Sequence, residues 1–86
     1  MNFEKAFKSL SYLIDRSANW DIYSKEEMDE YYALACWYKK AIESFAHDSN
    51  SKYEAYGDIA NFEYRLEDFD LDICESELYI PWKEGV

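Results

Sequence analysis

Acidic residues are crowded into one stretch near the end of the sequence, YRLEDFDLDICESELY, residues 64–79. The stretch contains one base, Arg65, and six carboxylates: Glu67, Asp68, Asp70, Asp72, Glu75 and Glu77. Like charges at this density repel one another and lower stability, so a role outside the fold is one explanation for them. Carboxylates can bind a cation, transfer protons or pair with the bases of a partner, and each chemistry requires different neighbouring residues.

A calcium site would need more than alternating acids. Asp68, Asp70 and Asp72 alternate as the first ligands of a calcium-binding loop do. Such a loop has glycine at position 6 and glutamate at position 12, where this chain has Ile73 and Tyr79. The pattern therefore disfavours calcium, and we predict no metal and no cofactor.

A catalytic site is also disfavoured. His47, the single histidine, lies beside Asp48 in a polar stretch, and this pair could form a general base only with a nucleophile and a pocket. The thiol of Cys36 is about 16 Å away along a helix, which is too far for a hydrogen bond. The sequence has no glycine-rich phosphate loop, zinc-ligand spacing or serine elbow. We predict that the protein is not an enzyme.

Pairing with a basic partner fits the charge distribution best. The net charge is -10; residues 1–43 contribute -2 and residues 44–86 contribute -8. An acidic field repels nucleic-acid phosphates and anionic lipids, which argues against direct binding to nucleic acid or membranes. We predict a basic protein surface as the partner, such as that of a nuclease or nucleic-acid-binding protein. Tyr64 and Tyr79 would join the six carboxylates as partner-binding residues, because tyrosine is enriched at interface centres.

Helices must position these residues. Apolar spacing predicts a small bundle of two to three helices, at about residues 2–16, 24–46 and 52–69. In the first helix, one apolar face is expected to meet the core: Phe3, Ala6, Phe7, Leu10, Leu13 and Ile14. The connection after it contains Trp20, Ile22 and Tyr23, which we expect to fold back onto the core.

The second helix has the clearest start signal. Ser24 and Glu27 have the spacing of a capping box. The apolar face of this helix is unusually wide and comprises Met28, Tyr31, Leu34, Ala35, Trp37, Tyr38, Ala41, Ile42 and Phe45. This width suits a central helix between two others, or a helix that meets a second copy, so a homodimer through residues 28–45 is an alternative.

The third segment is ambiguous between helix and strand. Apolar spacing favours a helix, although Gly57 weakens it by about 1 kcal/mol relative to alanine. Alternation of polar and apolar residues favours a short hairpin within 61–80, but its turn would lack glycine and asparagine. We predict a helix to about Phe69, then an extended acidic C-terminal tail, and keep an α+β fold with that hairpin as the alternative. The tail residues expected to dock on the bundle are Leu71, Ile73, Leu78, Ile80 and Trp82.

The bulk composition predicts a single mainly helical domain, residues 1–86, in the cytoplasm. No stretch approaches the roughly 18 apolar residues of a membrane span, and Cys36 and Cys74 do not form a disulfide framework. In size, charge and aromatic content the chain is similar to small acidic proteins that phages use against host defence nucleases, as DNA mimics or anti-CRISPR proteins. It is equally similar to bacterial immunity proteins against nuclease toxins. No motif matches residue by residue.

This likeness implies a non-catalytic inhibitor that blocks a basic nuclease or nucleic-acid-binding partner, of the phage anti-defence type. The alternatives are an immunity protein against a nuclease toxin, or a helical homo-oligomeric assembly or regulatory subunit.

Overall fold

A computed structural model describes residues 2–47, 52–69, 71, 73 and 77–83. It consists of helices α1 (Phe3–Ser17), α2 (Lys25–His47) and α3 (Lys52–Asp68), followed by a 3-10 turn at Pro81–Lys83. The described residues contain no strand. The predicted three-helix bundle is confirmed, and each helix end lies within one residue of its predicted position. The alternative hairpin is wrong over residues 61–68, which continue α3.

Local side-chain contacts explain where the first two helices begin. The Asn2 side chain accepts a hydrogen bond from the Lys5 N–H at 3.1 Å and caps α1. At α2 the Glu27 N–H donates to the Ser24 hydroxyl, and the Ser24 N–H donates to the Glu27 carboxylate, each at 3.2 Å. The predicted capping box is therefore confirmed.

Helix α2 lies between the other two helices and packs against both. Most of the core residues are on α2: Tyr31, Leu34, Ala35, Tyr38, Ala41 and Ile42. Ala6 and Leu13 contribute from α1, and Phe62 contributes from α3. The wide face of α2 is thus filled within one chain, as expected for a central helix.

Residues 77–83, which we call the strap, connect α1 to α3 across α2. The Tyr79 N–H donates to the Ser9 hydroxyl of α1 at 2.7 Å, and the Trp82 indole N–H donates to the Glu63 carboxylate of α3 at 2.9 Å. The Tyr38 hydroxyl of α2 donates to the Tyr79 carbonyl at 2.6 Å. The strap is therefore bonded to all three helices of the bundle.

Apolar contacts hold the same segment in place. Leu78 is buried, and the Trp82 ring meets Phe62 edge-on with centroids 6.0 Å apart. Leu71, Ile73 and Ile80 also pack against the core. The prediction that the apolar residues after α3 dock on the bundle is confirmed.

Two predictions about burial are wrong. Phe3, Phe7 and Ile14 of α1 are exposed, because α1 has one neighbouring helix and buries only a narrow stripe. Trp20 and Ile22 are also exposed, at 74% and 71%, and of the loop aromatics only Tyr23 packs against the core. Across the described part of the chain, no helix is both long enough and apolar enough to cross a bilayer.

Candidate protein-binding surface

The outer side of α3 brings together an aromatic ring and two carboxylates. Tyr64 is 67% exposed, and Glu67 and Asp68, three and four residues later, are exposed beside it. Residues at this spacing are neighbours on a helix surface. We call Tyr64, Glu67 and Asp68 the α3 face. It opposes the buried side of the helix, on which Phe62 meets the core.

The other predicted partner-binding residues have different outcomes. Glu77 is exposed at the start of the strap. Asp70, Asp72 and Glu75 lie outside the described residues. Of the six predicted carboxylates, the structure therefore describes Glu67 and Asp68 at the end of α3 and Glu77 in the strap.

Tyr79 is tied into the fold. Its hydroxyl accepts a hydrogen bond from the Asn2 N–H at 3.0 Å, and its N–H and carbonyl bind Ser9 and Tyr38. The Lys5 ammonium also lies over its ring, 5.9 Å from the centroid. Since these contacts occupy the polar groups of Tyr79, its side chain is better placed to hold α1 than to enter a partner.

Four bases of the described residues, Lys5, Arg16, Lys40 and Arg65, lie over aromatic rings. The Arg16 guanidinium lies 4.3 Å from the Tyr12 centroid, and Arg65 and Lys40 lie 5.5 Å and 4.7 Å from the Trp37 centroid. Cations in such positions are attracted by the electron-rich face of the ring. Arg65, the one base of the acidic stretch, is thus directed at Trp37.

Ion pairs among the described residues occur elsewhere. Lys8 pairs with Glu4 at 3.9 Å and Lys39 pairs with Glu43 at 4.0 Å, each within one helix turn. Within the described ranges, Glu67, Asp68 and Glu77 form no ion pair. Their charges are therefore available to a partner.

A packed apolar side supports these carboxylates. Leu66 and Phe69 flank the exposed Glu67 and Asp68 in sequence and pack against the core, and Leu71 and Ile73 also pack against it. The Phe69 N–H still donates to the Arg65 carbonyl at 2.9 Å, which extends the helical hydrogen bonding past Asp68. The carboxylates at the end of α3 are consequently held by an ordered underside.

A cluster around Arg16 was not anticipated from the sequence. Its guanidinium donates a hydrogen bond to the Tyr23 hydroxyl and lies near the rings of Tyr12 and Tyr31. Burial, with a hydrogen bond to Tyr23, raises the pKa of Tyr31 to about 12. Tyr31 is therefore a neutral phenol at physiological pH. This cluster fixes the α1–α2 loop to the bundle.

Other chemistry is sparse. His47 is the last residue of α2, and Cys36 is an exposed thiol on the same helix. The described residues contain no group of three or more metal-ligating side chains.

An apolar groove between α1 and α2 was also missed by sequence reasoning. It encloses about 380 Å³ and is lined mainly by Phe3, Phe7, Leu10, Ile42 and Ala46. Exposed side chains of α1 that were expected to be in the core form one of its walls. The spacing of these residues identified them as one face of α1. It could not show that no helix packs over that face.

Comparisons with protein-family models, with curated proteins and with solved structures find no match for this chain.

Proposed function

We propose that this protein is a non-catalytic inhibitor that covers a basic surface on a nuclease or other nucleic-acid-binding protein. The observation that supports this most is the α3 face. There, exposed carboxylates free of the chain's described bases flank an exposed tyrosine. Such a surface offers charge for attraction and an aromatic ring for apolar contact.

Rigidity of the underlying segment adds to the argument. A flexible acidic tail would lose conformational entropy on binding, which lowers affinity. The packed residues Leu66 and Phe69 hold the end of α3 in place before any partner arrives. Glu67 and Asp68 are accordingly presented at fixed positions.

The decisive experiment compares two charge reversals of equal size. Glu67→Lys with Asp68→Lys alters the α3 face, whereas Glu26→Lys with Asp29→Lys alters exposed acids at the start of α2. Tagged proteins would capture partners from host lysate at low and high salt. We expect wild type and the α2 control to retain a basic nuclease or DNA-binding protein at low salt. The α3 variant should lose at least about tenfold in affinity, the size typical of an interface centre.

Added duplex DNA supplies a second test on the same complex. If the inhibitor covers the nucleic-acid site of its partner, DNA should release it in proportion to the partner's affinity for DNA. Equal capture by both charge-reversal variants, or a complex indifferent to DNA, would contradict the proposal. The captured protein would also separate the two biological settings, a defence nuclease from a nuclease toxin.

A further inference from the structure

The groove between α1 and α2 presents a continuous apolar surface to solvent. Phe3, Phe7 and Ile14 are 66%, 71% and 45% exposed, and they occupy one side of α1 together with the half-buried Leu10. Their spacing of four, three and four residues places them in one row along the helix. Contiguous apolar patches of this kind on small proteins mark interaction sites.

The strap does not cover this row. Its hydrogen bonds and cation–ring contact at α1 are made to Asn2, Lys5 and Ser9. On a helix with 100° between successive residues, Lys5 and Ser9 lie roughly 130–170° around the axis from the centre of the Phe3–Ile14 row. The strap therefore lies against the other side of α1 and leaves this row exposed.

The charges at the groove differ from those of the rest of the molecule. Its lining includes one ion pair, Lys39 with Glu43 on α2, whose two charges cancel. The helix α1, which forms the other wall, has three bases and two acids. A basic partner attracted by the net charge of -10 would gain little electrostatic energy here.

A second copy of the chain satisfies these conditions. In a two-fold interface each surface meets itself, so any net charge on it is opposed by an equal like charge. A strongly acidic surface such as the α3 face is disfavoured for self-association for that reason. The groove is apolar at its centre and carries both signs at its edges. We infer that the protein forms a homodimer through the α1 row and the groove, with Phe7 of each copy entering the groove of the other.

This dimer differs from the homodimer predicted through residues 28–45. In the structure most of that face is filled by α1 and α3, and only Tyr38, Lys39, Ile42 and Glu43 of it reach the groove. The α3 face lies on a different helix from the α1 row, so the inference is independent of the proposed function.

Sedimentation equilibrium from micromolar to millimolar concentration tests the inference. We expect wild type to dimerise and Phe7→Glu to weaken the dimer by at least about tenfold, as for a central aromatic contact. The matched control is Trp20→Glu, which adds the same charge at a ring exposed to the same degree but outside the groove. The control should dimerise like wild type. Circular dichroism should show that both variants keep their helices.

Phe7→Ala provides a second variant without added charge and should also weaken the dimer. A wild-type protein that stays monomeric throughout the range would overturn the inference. Equal dimerisation of wild type and Phe7→Glu, or equal weakening by both glutamate variants, would overturn it as well.

Salt dependence separates this inference from the proposed function. Salt screens the repulsion between two chains of charge -10, so dimerisation should strengthen as salt rises. Binding to a basic partner should weaken over the same range. Dimerisation that weakens with salt would contradict an apolar, near-neutral interface.

Discussion

Tyr64 and Tyr79 show how position decides the role of a residue in this protein. Both were predicted from the sequence as partner-binding tyrosines. Tyr79 forms hydrogen bonds to Ser9 of α1 and Tyr38 of α2, whereas the exposed Tyr64 lies one turn before two exposed carboxylates. Of the two, Tyr64 is therefore the proposed partner-binding residue, and Tyr79 attaches the strap to the helices.

Replacing Gly57 of α3 should change the stability of the protein. The backbone of Gly57 is not in the left-handed region, and a Cβ added there would meet no atom within 4 Å. Gly57→Ala should therefore stabilise the protein by about 1 kcal/mol, because alanine loses less backbone entropy in a helix. The urea midpoint measures this. A matched control is Ala60→Gly, one turn later and also exposed, which should destabilise by a similar amount. Destabilisation by Gly57→Ala would show that the position needs glycine.

At the scale of elements, the strap connects the two outer helices of the bundle. α1 and α3 each pack against α2, and the strap joins them through Ser9 and Glu63. Because residues 77–79 belong to both the strap and the acidic stretch, the strap also holds the end of that stretch. Loosening the strap should lower stability and weaken partner binding together.

Tyr38→Phe tests the contribution of the strap. The substitution removes the hydroxyl that donates to the Tyr79 carbonyl and leaves the buried ring in place. We expect a loss of about 1–3 kcal/mol in the free energy of unfolding, since a partly buried carbonyl loses its partner. Tyr32→Phe, on the exposed side of α2, is the control and should change stability little. Equal effects of the two substitutions would contradict a role for this hydrogen bond.

The molecule is elongated and measures 43 × 23 × 19 Å. Its thickness allows only two helix diameters, so every helix has a solvent-exposed side. This geometry explains why so many aromatic rings can be exposed while the core remains filled. Phe3, Phe7, Trp20 and Tyr64 consequently lie on the surface of a folded protein.

The net charge of -10 predicts how the melting temperature depends on salt. Repulsion among the excess carboxylates should make the fold more stable in salt, so the melting temperature at pH 7 should rise with sodium chloride. The control is the same titration near the isoelectric point of about 4.3, where the repulsion is largely absent and the rise should be much smaller. A melting temperature at pH 7 that falls with salt would indicate that attractive pairs dominate.

The sequence by itself determined the helices, their ends and the chain's electrostatic character. Helix ends depend on contacts between residues three or four apart, such as Ser24 with Glu27, which are readable from spacing alone. The tertiary structure decided which apolar residues are buried. The spacing of Phe3, Leu13 and Ile14 is compatible with one face, yet only Leu13 reaches the core, because α1 contacts a single helix. Distant contacts such as Tyr79 with Ser9 have no signal in spacing, since they depend on how the elements pack together.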